Sequence, residues 1–138
     1  MPKFSRRSKE RLNTCHPDLV RLFTEVVKHY DCTILEGKRT KERQAELVRQ
    51  GMSKTMNSKH INEPFSLAVD VVPYPIEWNR RGQQRMRHFA GFVFGVASQL
   101  GISDRLRWGG DWDGDVWTRK DGLVDQSFMD LPHYELKL

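Results

Sequence analysis

The chain has 138 residues, the size of one domain, and at this length roughly 68% of the surface of the unfolded chain is buried on folding. Hydrophobic residues make up 38% and charged residues 30% of the sequence, a globular composition that excludes disorder, collagen-like repeats and low complexity. No apolar run approaches the roughly 18 residues that a membrane span needs, and the basic N-terminus leads into no apolar signal segment. We therefore predict one domain over residues 1–138, made in the cytoplasm without a signal peptide or an integral membrane segment.

The net charge of +5 is unevenly distributed along the chain. Residues 1–59 carry 14 Lys and Arg against 7 Asp and Glu, whereas residues 60–138 carry 9 against 11. The basic half suits an anionic envelope, an acidic substrate or a nucleic acid, although a solvated face that aids solubility explains it equally well. Because no helix-turn-helix, zinc finger or aromatic single-strand platform is recognisable, nucleic acid is not expected as a partner. Cys15 and Cys32 lack the Cys-x-x-Cys spacing and are expected to be reduced and structural.

Hydrophobic periodicity predicts three helices and four strands in the order helix, strand, helix, strand, helix, strand, strand. The helices are expected at residues 17–30, 40–50 and 81–100, and the strands at 32–36, 67–72, 106–108 and 133–138. Long loops are expected at residues 52–66 and 109–128. This order predicts an α+β domain in which helices back a small sheet.

Asp70 is an acid inside the apolar run 67–72. Because burying an unpaired carboxylate is costly, Asp70 must meet a cation, bind a metal or lie at the solvent end of its strand. His60 precedes it by ten residues, and His133 begins the last predicted strand. Two imidazoles and one carboxylate can hold zinc with a fourth position open for water. By spacing alone this signal is weak, since scattered His and Asp residues usually belong to the surface or the core.

Two further residues have the chemistry that zinc-dependent peptide hydrolysis requires. Asp130 lies three residues before His133, where a carboxylate can take a proton from water without ligating the metal. Arg39 follows a predicted turn and is a candidate cation for the charge that develops on the scissile carbonyl oxygen. A turn-capping role for Asp130, and a surface ion pair of Arg39 with Glu36 or Glu42, remain as alternatives.

Five segments of the chain stand out in order: Glu36-Gly37-Lys38-Arg39-Thr40, Ser58-Lys59-His60, Ala68-Val69-Asp70-Val71-Val72-Pro73-Tyr74, Trp108-Gly109-Gly110-Asp111-Trp112 and Pro132-His133-Tyr134-Glu135-Leu136. Together they resemble the motifs of the zinc-dependent L-alanyl-D-glutamate endopeptidases of bacteriophage lysis. These enzymes are related to the D-alanyl-D-alanine carboxypeptidases and share the Hedgehog/DD-peptidase fold, which is an α+β fold with a small antiparallel sheet. Any one segment is a weak signal, but the five run in the family's order from residue 36 to residue 136.

The resemblance implies a zinc peptidase that hydrolyses the peptide stem of peptidoglycan, at the bond between L-alanine and D-glutamate. It implies particular roles for six residues: His60, Asp70 and His133 as zinc ligands, Asp130 as the catalytic carboxylate, Arg39 as the group that stabilises the scissile carbonyl, and Ser58 as a substrate contact. Nine residues separate His60 from Asp70, more than is usual in the family. The stretch 62–65 is therefore expected to loop out.

The resemblance also implies the setting in which the enzyme acts. A lysis enzyme made in the host cytoplasm without a signal peptide reaches the wall through a membrane pore formed by another protein, and we expect it to be a monomer. Two alternatives remain at this stage. One is a D-alanyl-D-alanine carboxypeptidase or dipeptidase, which closes its cleft around a free terminal carboxylate. The other is a non-catalytic module that binds the cell wall.

Two features remain outside this scheme. Alternate aspartates resemble a calcium loop but lack its glycine and its closing glutamate, so a regulatory cation is a hypothesis for Asp111, Asp113, Asp115, Asp121 and Asp125. Three tryptophans are candidates for a wall of the substrate cleft, although at least one is expected to pack in the core: Trp108, Trp112 and Trp117.

Overall fold

The computed structural model describes residues 1–53, 55–114 and 129–137. In these ranges the helices are α1 (Arg6–Leu12), α2 (Pro17–Val27), α3 (Lys41–Arg49) and α4 (Arg80–Gln99), and the strands are β1 (Cys32–Glu36), β2 (Ala68–Pro73), β3 (Leu106–Gly109) and β4 (Asp130–Leu136). Short 3-10 turns at Lys59–Ile61 and Ser103–Arg105 precede β2 and β3. Among the described residues, none of the helices is both long enough and sufficiently apolar to cross a membrane. The predicted α+β class is confirmed.

The strands form one antiparallel sheet in the order β1-β2-β4-β3. Its register places Asp70 of β2 opposite His133 of β4 and also opposite Glu36 of β1. Because successive side chains of a strand point to opposite faces, Asp70 and His133 share one face while Val69 and Tyr134 share the other. The sheet thus separates a polar face from an apolar one.

The apolar face packs against α2 and α4. Phe23 of α2, Phe89 of α4 and Tyr134 of β4 are completely buried, and the Tyr134 ring meets the two phenylalanines edge to face at centroid distances of 5.4 and 6.4 Å. Burying an aromatic ring of this kind contributes about 1.5–3 kcal/mol. The core therefore lies on this side of the sheet, opposite the polar face.

Helix α1 is absent from the sequence prediction. Its buried residues are Ser8 and Leu12, too few to give an apolar period. The helix covers the outer edge of β1, where the Ser8 hydroxyl accepts from the Ile34 N–H and the Arg11 guanidinium donates to the Ile34 carbonyl, each at 3.1 Å. It therefore satisfies backbone groups that an edge strand would otherwise expose.

Two predicted boundaries are wrong by three residues. The first long helix ends at Val27 rather than at residue 30, although the next turn keeps Tyr30 against the core through its N–H bond to the Val26 carbonyl (3.0 Å). Strand β4 begins at Asp130 rather than at residue 133, and Asp130 pairs with Gly109 of β3. A Cβ atom on Gly109 would lie 2.0 Å from the Asp130 carbonyl oxygen, so this pairing requires glycine. Residue 138 lies outside the described range.

Candidate metal centre and catalytic cleft

Three side chains from different elements converge on the polar face of the sheet. His60 comes from the 3-10 turn Lys59–Ile61, Asp70 from β2 and His133 from β4. Asp70 Oδ1 lies 3.2 Å from His60 Nε2 and 3.3 Å from His133 Nδ1. One potential ligand atom from each residue lies within 4.8 Å of the others. The structure therefore brings together the three residues that the sequence analysis assigned as metal ligands.

The donor set and its spacing fit a zinc ion. Donor atoms held about 2.0–2.1 Å from zinc at tetrahedral angles lie about 3.3 Å apart, which matches the two separations measured from Asp70 Oδ1. Two imidazole nitrogens and one carboxylate oxygen leave a fourth tetrahedral position for water or substrate. Among the described residues, His60, Asp70 and His133 form the one group of three or more His, Cys, Asp or Glu residues whose potential ligand atoms all lie within 4.8 Å of one another.

The backbone of the His60 turn is held by hydrogen bonds to residues on either side of it in the fold. The His60 N–H donates to the Ser58 hydroxyl at 3.1 Å, and the His60 carbonyl accepts from the Arg39 N–H at 2.7 Å. Residues 63–65 are exposed, and the base of this loop is closed by the Leu67 N–H bonding to the Lys59 carbonyl at 3.0 Å. The longer spacing between His60 and Asp70 is therefore absorbed without moving the imidazole away from the carboxylate.

A backbone carbonyl orients the His60 ring. His60 Nδ1 lies 2.8 Å from the Gly37 oxygen, which can only accept, so Nδ1 carries a proton and Nε2, which faces Asp70, is the nitrogen available to a metal. Gly37 lies so close to α1 that a Cβ atom there would be 2.3 Å from the Arg11 carbonyl oxygen. A glycine is needed at this position for the carbonyl to reach His60.

The His133 ring lies between two carboxylates. Its Nδ1 faces Asp70, and its Nε2 lies 2.8 Å from Glu135 Oε1. Burial by itself lowers the pKa of His133, but the bonds to Asp70 and Glu135 raise it to about 9. Burial by itself raises the pKa of Asp70, but the imidazoles of His60 and His133 more than offset this effect and hold the pKa well below its usual range. The charged forms of Asp70 and His133 therefore stabilise each other in this structure.

Glu135 was not assigned from the sequence. Burial by itself raises the pKa of Glu135, but hydrogen bonds from His133 and Arg107 have the larger effect and lower the pKa to about 2. The side chain is therefore a buried, ionised carboxylate. The signal that could have identified it is the alternation of β4, which places Glu135 on the same face as His133.

Asp130 lies beside the three converging residues. Its Oδ2 is 3.9 Å from His133 Nδ1, beyond hydrogen-bond distance, and 39% of its side chain is exposed. Burial, followed by the negative charge of Asp70, raises the pKa of Asp130 above its usual range. A carboxylate next to the centre, open to solvent and with a raised pKa has the properties of a general base. It is also the first residue of β4 rather than part of a turn.

Arg39 is a buried cation held in one position. Its Nε donates to Glu36 Oε1 at 2.9 Å, its Nη2 forms a second, shorter contact with the same oxygen, and its Nη1 donates to Gln44 Oε1 at 2.6 Å. Its Nη2 lies 3.9 Å from Asp70 Oδ2, and 9% of its side chain is exposed. The ion pair with Glu36 exists, but it lies inside the site rather than on the surface.

Gln44 was also missed by the sequence analysis. It is completely buried in α3, where its Nε2 donates to the Ser53 hydroxyl at 2.8 Å and to the Thr55 carbonyl at 2.6 Å. Because its Oε1 accepts from Arg39, Gln44 links the guanidinium to the segment that follows α3. The sequence does offer one signal, a polar residue at a helix position that faces the interior. It does not show which residues are the hydrogen-bond partners of that side chain.

All six predicted site residues line one cleft of about 660 Å³: Arg39, Ser58, His60, Asp70, Asp130 and His133. Trp112 forms part of its wall, with its ring 5.4 Å from the His133 ring, and Arg107 lies over the same indole at 5.8 Å. Trp108 is 5% exposed and packs in the core instead. Trp117, Asp115, Asp121 and Asp125 lie outside the described residues, so the hypotheses made for them stay predictions.

The converging residues, the flanking carboxylate and the cleft together have the chemistry that a metal-dependent hydrolase would need, on an α+β fold. The chain belongs to the family of phage L-alanyl-D-glutamate peptidases, whose model matches residues 1–137. The chain is 31% identical over 140 residues to the L-alanyl-D-glutamate peptidase of Escherichia phage T5, covering 94% of this chain and 97% of that protein. The family and the enzyme class predicted from the five motifs are confirmed.

A solved structure gives the same result for the fold. The crystal structure of the Serratia marcescens L-Ala D-Glu endopeptidase ChiX superposes with a TM-score of 0.72 at 30% sequence identity, covering 99% of this chain and 91% of that chain. The predicted fold, including its small antiparallel sheet, is thereby confirmed.

Proposed function

We propose that this protein is a zinc-dependent endopeptidase that hydrolyses the L-alanyl-D-glutamate bond in the peptide stem of peptidoglycan. The observation that carries the proposal is the convergence of His60 Nε2, Asp70 Oδ1 and His133 Nδ1, one atom from each side chain, on one point of the cleft. Each imidazole has its other nitrogen engaged by Gly37 or Glu135, so the remaining nitrogen of each ring is the one that faces the proposed metal. Zinc bound there would act as a Lewis acid and lower the pKa of a water molecule to about 7.

Asp130 is proposed as the general base and acid of the reaction. Its carboxylate is open to the cleft and lies 3.9 Å from His133 Nδ1, close enough to reach a water molecule at the centre without ligating the ion. It would accept the proton of the attacking water and then return it to the leaving amine of D-glutamate. Asp130 thereby acts twice in one turnover, and no side-chain nucleophile is required.

Arg39 is proposed to stabilise the carbonyl oxygen of the scissile bond. Its guanidinium is held by Glu36 and Gln44 before substrate arrives, so little reorganisation accompanies the reaction. Ser58 lines the same cleft and is proposed as a contact for the peptide stem. Its hydroxyl already accepts from the His60 N–H and retains its own hydrogen for donation to substrate.

The proposed setting is host cell lysis by a phage. The protein would act on the wall as a monomer after passing through a membrane pore made by another protein. The basic half of the chain, residues 1–59, would favour approach to an anionic cell envelope.

Digestion of purified peptidoglycan tests the proposal. The zinc-loaded protein should release peptides that begin with glutamate and leave L-alanine on the glycan strand, as read by mass spectrometry and end-group labelling. Asp130→Asn, which keeps the shape of the side chain, is the control and should release nothing above background. Release of terminal D-alanine alone would favour a carboxypeptidase. Wall binding without any hydrolysis would favour a binding module.

A further inference from the structure

Glu135 is a buried carboxylate whose two oxygens have different partners. Its Oε1 lies 2.8 Å from His133 Nε2. Its Oε2 accepts from Arg107, at 2.6 Å from Nη2 and 3.1 Å from Nε, and lies 3.3 Å from Lys59 Nζ. The side chain is 8% exposed, so these interactions are largely shielded from water.

The contact with His133 decides which ring nitrogen is free. An ionised carboxylate can only accept hydrogen bonds, so His133 Nε2 carries the proton and donates it to Glu135. When the ring is neutral, as metal ligation requires, the lone pair belongs to Nδ1, the nitrogen that faces Asp70 at 3.3 Å. A hydrogen-bonded carboxylate behind a metal-binding imidazole fixes both its tautomer and the orientation of its ring.

The contact with Lys59 joins two of the proposed ligands. Lys59 directly precedes His60 in the 3-10 turn, and its Nζ also donates to the Leu136 carbonyl of β4 at 2.6 Å. Glu135 and Lys59 therefore tie the turn that carries His60 to the strand that carries His133. Arg107 anchors the same carboxylate to β3.

We propose that Glu135 is a positioning residue of the metal centre, which orients His133 for ligation through Nδ1 and, through Lys59, keeps the His60 turn at the correct distance. This inference rests on the proposed zinc site. The competing explanation is that Glu135 only stabilises the fold. A buried cluster of ion pairs is weak evidence for such a role, because apolar side chains at the same positions often stabilise a protein equally well.

Zinc affinity, measured by competition with a chromogenic chelator, tests the inference. Glu135→Ala should bind zinc about 10–100-fold more weakly than the unaltered protein. Glu135→Gln keeps an oxygen that can accept from His133 but loses the charge that pairs with Arg107 and Lys59, so its affinity should lie between the two. Glu77→Ala is the matched control, because Glu77 also pairs with two cations, Arg81 and Arg85, but lines no part of the cleft.

A second measurement separates positioning from stability. The ring nitrogen resonances of His133 in the zinc-loaded protein, where the ring is a neutral ligand, should report the single tautomer protonated at Nε2 in the unaltered protein and a mixture in Glu135→Ala. If both Glu135 variants only lower the melting temperature while zinc affinity and the tautomer stay unchanged, the inference is overturned. If Glu135→Ala does not fold, Glu135→Gln decides by the same two readouts. Failure of the unaltered protein to bind zinc would instead overturn the proposed function together with this inference.

Discussion

Asp70 of β2 lies directly opposite His133 of β4 in the sheet register. Residues opposite each other on antiparallel strands have Cβ atoms about 4.5–5.5 Å apart, so strand pairing alone brings two of the three proposed ligands together. A slip of one residue would turn His133 to the apolar face occupied by Tyr134. The candidate metal centre therefore depends directly on sheet register, and the third proposed ligand, His60, is added by a turn fixed to Gly37 and Arg39.

Replacing His133 should remove metal and activity together. His133→Ala leaves two of the three donors, and Glu135 loses the imidazole that it holds. We expect zinc content after dialysis to fall from one equivalent to near zero and wall hydrolysis to be lost. His88→Ala is the matched control, because His88 contacts the Tyr30 hydroxyl at 2.9 Å and lines no part of the cleft. Retention of stoichiometric zinc by His133→Ala would count against its role as a ligand.

Replacing Asp130 should separate metal binding from catalysis. Asp130 lies beside the three donors without being one of them, so Asp130→Ala and Asp130→Asn should keep one equivalent of zinc. Loss of a general acid–base group costs about 10²–10⁴-fold in rate, and we expect kcat to fall by this amount. Turnover equal to that of the unaltered protein in either variant would remove Asp130 from the mechanism.

Much of this candidate centre could be predicted from the sequence, because its proposed ligands lie in short motifs. His60, Asp70 and His133 are each embedded in a segment that resembles a family motif, and the polar residue in the apolar run of β2 indicated a site independently. The residues that support the ligands could not be found in this way. Gln44 and Glu135 act through partners from other elements, and only the folded chain shows that Ser53 or Lys59 is within reach.

The same holds for the fold: elements determined by neighbouring residues could be predicted, and elements determined by contacts with other parts of the chain could not. Strand β1 was predicted with its observed bounds because β-branched residues precede a glycine turn, and α4 was predicted within one residue at each end from its apolar period. Helix α1 was missed because its role is to cover the edge of β1, which requires hydrogen-bonding side chains rather than an apolar stripe. The early start of β4 depends on the absence of a side chain at Gly109 in another strand.

Replacing Arg39 should reduce turnover more than metal content. Its guanidinium is the proposed donor to the scissile carbonyl, and loss of such a donor costs about 10²–10³-fold in kcat. Arg39→Lys should restore little, because an ammonium group cannot contact Glu36 and Gln44 with the same fork. Arg49→Ala, which removes a surface partner of Glu46 on α3, is the control. If Arg39→Ala shows unaltered kcat, Arg39 has only a structural role.

Replacing Gln44 should loosen Arg39 and lower stability. Gln44→Ala removes three hydrogen bonds from a completely buried position, one that Gln44 accepts and two that it donates. Arg39, Ser53 and Thr55 each lose a hydrogen-bond partner. We expect the free energy of unfolding to fall by about 1–3 kcal/mol, measured by urea denaturation, together with a lower kcat. Gln50→Ala, at an exposed position where the side chain bonds to Glu46, should change neither quantity. Equal behaviour of the two variants would show that Gln44 does not position Arg39.

The two cysteines should be inert in the folded protein. Cys15 and Cys32 are free, buried at 1% and 4% exposure, and burial raises the pKa of each thiol to about 12. The thiolate is the reactive form, so a rise of about three pKa units lowers its population near pH 8 about a thousandfold. Iodoacetamide should therefore label neither cysteine until urea unfolds the chain, and hydrolysis should be insensitive to it. Rapid labelling of Cys15 under native conditions, with loss of activity, would contradict a mechanism that needs no thiol.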